Sequence, residues 1–141
     1  MTGANVSDAD EKDKTMMIKR LLAAATLVFI SGLLTLSARA EDAEAGSKVF
    51  KIQCSACHAA VAGKKGIGPS LFGVVGRAAG TAPDFHYTEA NKNSGLTWDS
   101  ATLDRYLQAP RQVIPGTAMA YAGLKNDTQR ADLIAYLTTL K

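Results

Sequence analysis

The spacing of apolar residues along the chain predicts a few helices and no strand. Residues 41 to about 53 suit a helix, with acidic residues in the first turn and apolar side chains clustered toward one side. Apolar residues three and four positions apart predict another helix over about 100–108, which must stop before Pro110. A last helix, capped by Asn126 or Asp127, should run to about residue 140 with an apolar stripe.

The chain between these helices is rich in turn-forming residues. Residues 59–83 contain many Gly, Ala and Pro without a sustained period, so they predict loops, and 89–93 could form a short helix ended by Ser94 and Gly95. Long loops are unusual in a small domain unless something other than strands organises them. The pattern therefore predicts an all-α domain that needs a further organising centre.

The first 40 residues have a different pattern from the domain that follows. Basic Lys19 and Arg20 precede an apolar run over 21–36, and small residues in the order A-x-A end at Ala40. This order is typical of a secretory signal peptide, with cleavage expected after Ala40. The run of 16 residues is short for a helix that must cross a hydrocarbon layer of ~30 Å, so an uncleaved membrane anchor is the less favoured alternative.

We therefore predict an N-terminal extension and signal peptide over 1–40, with translation starting at Met16 or Met17, and a domain over 41–141 in the periplasm. The domain has 101 residues, with 11 Lys and Arg against 9 Asp and Glu, so its net charge is +2. This charge is too small to indicate nucleic-acid binding. A core made of protein alone is marginal at this size.

A Cys-x-x-Cys-His motif begins directly after the first predicted helix. In this motif, Cys54-Ser55-Ala56-Cys57-His58, each thiol can add across one vinyl group of a haem and the adjacent imidazole can then ligate the iron. A disulfide, a thioredoxin-like redox pair and part of a zinc site are the alternatives. The His beside the second Cys favours covalent haem c, which would also organise the long loops and enlarge the core.

The iron would have a second axial position opposite His58. The chain has four Met, and three of them precede the expected cleavage site, which leaves Met119 in a turn-forming Pro-Gly segment. His86 is the competitor for this position, and Met119 as an ordinary core residue is the alternative without a ligand role. The backbone carbonyl of Pro69 is the best candidate to orient His58, because ligating His residues usually donate their other N–H to a fixed acceptor.

Read together, these features identify a family resemblance. From residue 46 to 140 the chain resembles the class I cytochromes c of the mitochondrial type and is similar to the soluble cytochromes c of alphaproteobacteria. Besides the Cys-x-x-Cys-His motif, Gly68-Pro69 and the Met119 loop, the matching segments are Gly73-Val74-Val75-Gly76-Arg77, Tyr87-Thr88-Glu89-Ala90-Asn91-Lys92, Gly95-Leu96-Thr97-Trp98, Tyr106-Leu107 before Pro110, Ile114-Pro115-Gly116-Thr117 and Asp132-Leu133-Ile134-Ala135-Tyr136-Leu137. The resemblance implies a cytochrome c fold, with about four to five helices and long loops wrapped around one covalently attached haem.

The resemblance also implies roles for individual residues. Tyr87 and Trp98 would hydrogen-bond a buried haem propionate with Arg77 nearby, although each residue taken alone could be a core aromatic or a solvated charge. Asn91, Tyr106 and Thr117 would line the face of the haem on which Met119 lies (the Met side). Contacts between the first and last helices fall to Gly46, Phe50 and Tyr136, and Tyr121 would lie near the exposed haem edge.

These observations predict a periplasmic single-electron carrier with a His/Met-ligated haem c, not an enzyme. Its partners would be redox complexes of respiration or photosynthesis, such as a quinol-cytochrome c reductase-type complex and a terminal oxidase or reductase. We expect a monomer that contacts the membrane only transiently through these partners. A small haem c peroxidase or ligand sensor with a displaceable Met is the alternative within haem proteins. A thiol oxidoreductase or a binding module stabilised by a disulfide is the alternative without haem.

Overall fold

A computed structural model describes residues 40–83 and 85–141. The predicted extension and signal peptide lie outside the described residues, apart from Ala40. Within the described ranges, no helix has the length and apolar composition needed to cross a bilayer.

The described chain is helical, and the predicted all-α class is confirmed. An isolated bridge between Ala78 and Thr97 is the only extended pairing in the described part, which contains no strand. The helices are α1 (Ala43–Gln53), α2 (Glu89–Lys92), α3 (Ser100–Gln108), α4 (Pro110–Val113) and α5 (Asp127–Thr139).

Side-chain caps explain where the three longer helices begin. The carboxylate of Asp42 accepts hydrogen bonds from the backbone N–H groups of the first turn of α1. Asp99 accepts from Thr102 at the start of α3, and Asn126 accepts from Gln129 at the start of α5. Each cap satisfies N–H groups that have no partner within the helix, so a single polar residue fixes the helix start.

The short helix α4 was not predicted from the sequence. Helix α3 ends before Pro110, as predicted. Pro110 also occupies the first turn of α4, where its missing N–H costs nothing and its fixed φ suits a helix. The backbone N–H of Ile114 then bonds to the carbonyl of Pro110 at 2.9 Å. The chain therefore leaves α3 and turns through one more helical turn before the Met119 segment.

Helices α1 and α5 cross at the contact that the resemblance implied. A Cβ on Gly46 would overlap the backbone carbonyl oxygen of Asp132, so only glycine allows this close approach. The rings of Phe50 and Tyr136 pack beside it with centroids 5.4 Å apart. The backbone N–H of Asp42 also donates to Oδ1 of Asp132 at 2.9 Å, which fixes the start of α1 against α5.

The core lies between these crossing helices, α3 and the loops. Its buried residues come from α1, α3, α5 and the loop segments, and include Phe50, Trp98, Leu103, Tyr106, Ile114, Leu124 and Leu133. Partly buried apolar side chains surround them, among them Cys54, Leu71, Val75, Met119 and Tyr121. Several residues predicted to contact a haem are therefore on one connected apolar surface.

Candidate functional site

Two thiols and an imidazole come from one tight turn at the end of α1. The N–H groups of Cys54 and Ser55 both bond to the carbonyl of Phe50, at 2.8 and 3.0 Å. The N–H groups of Cys57 and His58 then bond to the carbonyl of Cys54, at 3.0 and 2.9 Å. Because these bonds join residues close in the sequence, the end of α1 itself determines where the side chains of the Cys-x-x-Cys-His motif lie in space.

Cys54 and Cys57 are half-buried and neither forms a disulfide. Burial, with a smaller contribution from the neighbouring Cys57, raises the pKa of Cys54 to about 11. The Cys54 thiol is therefore protonated at neutral pH in the chain without cofactor.

The ring of His58 is fixed by the loop that follows it. Its Nδ1 lies 2.8 Å from the carbonyl oxygen of Pro69, and the N–H of Gly68 bonds to the carbonyl of Cys57 at 2.9 Å. A Cβ on Gly68 would lie 2.7 Å from Nδ1 of His58, so the imidazole rests directly against the glycine backbone. When Nδ1 donates its proton to Pro69, Nε2 keeps the lone pair that a metal ion requires.

Met119 is half-buried in the segment after α4, and its position is set by Thr117 and Tyr106. Oγ1 of Thr117 accepts a hydrogen bond from the N–H of Met119 at 3.3 Å and lies 3.2 Å from the Tyr106 hydroxyl. The Tyr106 hydroxyl also donates to the Met119 sulfur at 4.0 Å. Tyr106 and Thr117, which the resemblance placed on the Met side, are therefore in contact with Met119 and with each other.

Trp98 and Tyr106 form an aromatic pair whose ring centroids are 4.7 Å apart. Trp98 is buried, and its backbone N–H bonds to the carbonyl of Arg77 at 2.9 Å. The guanidinium of Arg77 donates to the carbonyls of Ser70 and Phe72, each at 3.1 Å. The cation of Arg77 is thus oriented by the backbone and is not a freely solvated loop charge.

Tyr87 precedes α2 by two positions, and Asn91 lies within this helix. Burial raises the pKa of Tyr87, while the charge of Arg77 acts in the opposite direction, so the phenol stays neutral and can donate a hydrogen bond. The side chain of Asn91 is buried and bonds to the hydroxyl of Thr88 at 2.9 Å. His86, the competing ligand candidate, is exposed.

Two contacts of this region were not found from the sequence. The hydroxyl of Tyr121 donates to the side-chain oxygen of Gln53 at 3.3 Å, joining the segment after Met119 to the end of α1. Arg130 is buried and bonds to Asp104, Asp127 and the carbonyl of Leu124. The resemblance placed Tyr121 near the haem edge but did not indicate its bond to Gln53, and Arg130 belongs to no motif of the sequence.

The side chains present fit a covalently bound haem. Cys54 and Cys57 are unlinked thiols on one turn, and His58 has its Nδ1 engaged and its Nε2 available. Met119 supplies a half-buried thioether from a different part of the chain. Thiols, an imidazole and a thioether are the groups that attach haem c and ligate its iron.

Comparison with known proteins decides the family. The family model for cytochrome c matches residues 43–141. The chain belongs to the cytochrome c family. It is 54% identical over 101 residues to cytochrome c2 of Rhodomicrobium vannielii, which covers 71% of this chain and 80% of that protein. It is 44% identical over 100 residues to cytochrome c of Euglena viridis, covering 71% of this chain and 98% of the relative.

A solved structure of the same family shares the fold. Cytochrome cH from Methylobacterium extorquens superposes with a TM-score of 0.65 at 45% identity, covering 70% of this chain and 98% of that one. As a cytochrome c, the chain carries one covalent haem c and is an electron carrier rather than an enzyme. When bound, the haem supplies an iron that changes its oxidation state by one electron. The spacing of Cys54 and Cys57 matches the attachment motif of such a group.

Proposed function

We propose that this cytochrome is a periplasmic single-electron carrier in which Nε2 of His58 and the sulfur of Met119 would hold the iron from opposite faces. The observation that carries this proposal is the position of Met119, the sole Met among the described residues. Its sulfur lies 4.0 Å from the Tyr106 hydroxyl, within the apolar residues that pack against the core. His86, in contrast, is exposed.

His58 and Met119 would support electron transfer by remaining bound to the iron in both oxidation states. Because both side chains would remain bound in both oxidation states, no ligand has to leave when an electron moves. A thioether favours ferrous over ferric iron, so Met119 would raise the reduction potential relative to a second imidazole. The carbonyl of Pro69 would keep His58 in one tautomer and one orientation.

The remaining predicted residues would bind the edge and periphery of the haem. Tyr87 and Trp98 would donate hydrogen bonds to a propionate, and Arg77 would offset its charge. Arg77 supports this role because two backbone carbonyls already orient its guanidinium. Asn91 and Thr117 would line the Met side together with Tyr106.

The location and the partners follow from the N-terminal pattern and the relatives. We propose that residues 1–40 are an extension and signal peptide, that cleavage leaves Glu41 as the first residue, and that the domain over 41–141 works in the periplasm as a monomer. The partners would be membrane redox complexes, namely a quinol-cytochrome c reductase-type complex and a terminal oxidase or reductase. Sequencing the N-terminus of the protein exported by its own host tests the cleavage site.

Spectroscopy of the purified protein tests the proposed ligands. The ferric protein should show the red charge-transfer band of Met-ligated haem, which should vanish in Met119→Ala and persist in His86→Ala. Intact mass and a pyridine haemochrome spectrum check that each variant carries covalent haem. Loss of the band in His86→Ala alone, or cyanide and CO binding to the native protein within the mixing time, would overturn the proposal and favour a peroxidase or ligand sensor.

A further inference from the structure

Arg130 joins three parts of the chain from a buried position in the first turn of α5. Only 4% of its surface is exposed. Its Nε donates to Oδ1 of Asp104 in α3 at 2.5 Å, and its Nη2 donates to Oδ1 of Asp127 at 2.8 Å. The third bond runs from Nη1 to the backbone carbonyl of Leu124 at 3.0 Å. Arg130 therefore ties a loop carbonyl to two helices.

Leu124 lies five positions after Met119 and is buried. Its N–H donates to the carbonyl of Leu107 at 2.8 Å, so both backbone polar groups of Leu124 are bonded. A Cβ on the preceding Gly123, which has φ +99, would overlap the carbonyl oxygen of Gln108. The chain after Met119 is thus packed tightly against the last turn of α3.

Helix α3 also carries the contact to the Met119 sulfur. The Tyr106 hydroxyl contacts the thioether. The carbonyl of Leu107 bonds to Leu124 directly, whereas Asp104 is linked to Leu124 through Arg130. Residues 117–126 have no regular secondary structure of their own. Between Thr117, whose N–H bonds to the carbonyl of Ile114, and Asn126, their position depends on side-chain contacts and on the backbone bonds of Leu124. Segments of this kind open locally more easily than helices.

We propose that Arg130 is a positioning residue for Met119, which holds the segment 119–124 against α3 and so keeps the thioether in its ligating position. The proposal rests on the proposed ligation by His58 and Met119. Charged hydrogen bonds of a guanidinium are stronger than neutral ones, and a buried guanidinium that loses a partner is left with an uncompensated charge. Opening of the segment as far as Leu124 therefore requires the bond between Arg130 and Leu124 to break.

Asp104 and Asp127 keep this arrangement charged. The hydrogen bond to Asp104 is the largest of the effects that raise the pKa of Arg130 above its usual value, so the guanidinium is protonated throughout the accessible pH range. Asp127 is largely exposed and Asp104 is partly exposed, whereas Arg130 is covered. Replacing Asp104 therefore weakens the arrangement with less risk to folding than replacing Arg130.

The test measures how often Met119 leaves the iron in the haem-loaded ferric protein. Cyanide can bind only after the thioether has left, so its limiting binding rate reports this opening. In Arg130→Lys and Asp104→Asn, we expect the resting charge-transfer band to persist and the cyanide rate to rise by at least about fivefold. The matched control is Ile134→Val, which lowers the stability of the same helix without touching any bond of Arg130.

Amide hydrogen exchange gives a second readout that does not depend on ligation. The Leu124 N–H should lose protection in Asp104→Asn, while the Leu103 N–H, bonded to the carbonyl of Asp99 at 2.8 Å, should lose less. Cyanide rates that rise no more than in Ile134→Val at equal global stability would overturn the role of Arg130. A wild-type ferric protein without the Met band would instead overturn the proposed ligation, and the Leu124 exchange would still report whether Arg130 anchors the segment.

Discussion

Nδ1 of His58 lies 2.8 Å from the backbone carbonyl oxygen of Pro69, and the backbone of Gly68 lies against the same imidazole ring. The hydrogen bond sets the tautomer, while the glycine leaves room for the ring to reach the carbonyl. An imidazole that donates Nδ1–H to a fixed acceptor is a more basic ligand through Nε2. The segment after the Cys-x-x-Cys-His motif therefore tunes the predicted iron ligand as well as holding it.

Replacement of Gly68 by Ala should disturb His58 directly. The new Cβ would lie 2.7 Å from Nδ1 and 2.9 Å from Nε2, so the ring must move and its bond to Pro69 must weaken. A less basic imidazole stabilises ferric iron less, so we expect the reduction potential to rise by roughly 20–50 mV. We also expect the free energy of unfolding to fall by about 1–3 kcal/mol. Redox titration and urea unfolding measure the two effects.

Gly63→Ala is the matched control for this variant. Gly63 has φ +68 and open space around it, so the substitution strains the backbone without touching His58. We expect it to lower stability by about 1 kcal/mol and to leave the potential unchanged. A potential that is equally unchanged in Gly68→Ala would show that the glycine does not orient the ligand.

Tyr106→Phe should lower the reduction potential. The Tyr106 hydroxyl donates to the Met119 sulfur at 4.0 Å and thereby withdraws electron density from it. If Met119 ligates the iron as proposed, its sulfur would donate more strongly to ferric iron without the hydroxyl, so we expect the potential to fall by on the order of tens of millivolts. Tyr136→Phe, which removes the hydroxyl of a tyrosine whose ring packs on Phe50, is the control and should leave the potential unchanged. A rise in Tyr106→Phe would contradict this account of the hydrogen bond.

The helix boundaries were largely predictable because local side chains determine them. Asp99 and Asn126 cap α3 and α5 by bonds to N–H groups three positions away, which a sequence pattern can reveal. The sequence does not predict the additional helix at 110–113, because a Pro after a helical pattern indicates only that the helix ends. A proline can end one helix and begin the next, and the choice depends on where the following chain packs.

The candidate site divides in the same way between local and distant contacts. The Cys-x-x-Cys-His turn is local, so its side chains could be named from the sequence alone. The contact between Tyr106 and Met119 joins residues 13 positions apart, and only the family resemblance indicated it. Arg130 meets Asp104 across 26 positions. A buried arginine is exceptional among arginines, so nothing in the sequence distinguished this one from a solvated charge.

Gly46→Ala should separate α1 from α5. The added Cβ would overlap the backbone carbonyl of Asp132, and because backbone atoms cannot rotate away, the helices must move apart. We expect the free energy of unfolding to fall by about 3 kcal/mol in urea unfolding followed by circular dichroism. Ser47→Ala, at the next position, should change it by less than about 0.5 kcal/mol. Equal stability of the two variants would mean that the helix crossing tolerates a wider separation.

Asp99→Asn should change how stability depends on pH. The N–H of Thr102 donates to the Asp99 carboxylate and lowers its pKa in the folded protein. A carboxylate with a lowered pKa stabilises the fold above its unfolded pKa of about 3.9, and that contribution disappears as the pH falls through the lower folded pKa. Asparagine can still cap the helix but carries no charge.

We therefore expect wild type to be more stable than Asp99→Asn at neutral pH, with the difference shrinking as the pH falls below about 4. Urea unfolding of both proteins between neutral and acidic pH measures this difference, and effects shared by the two proteins cancel. Glu41→Gln, which removes an exposed carboxylate that caps no helix, is the control and should show a smaller dependence. A constant difference between wild type and Asp99→Asn across this range would show that the charge of Asp99 adds nothing to its role as a cap.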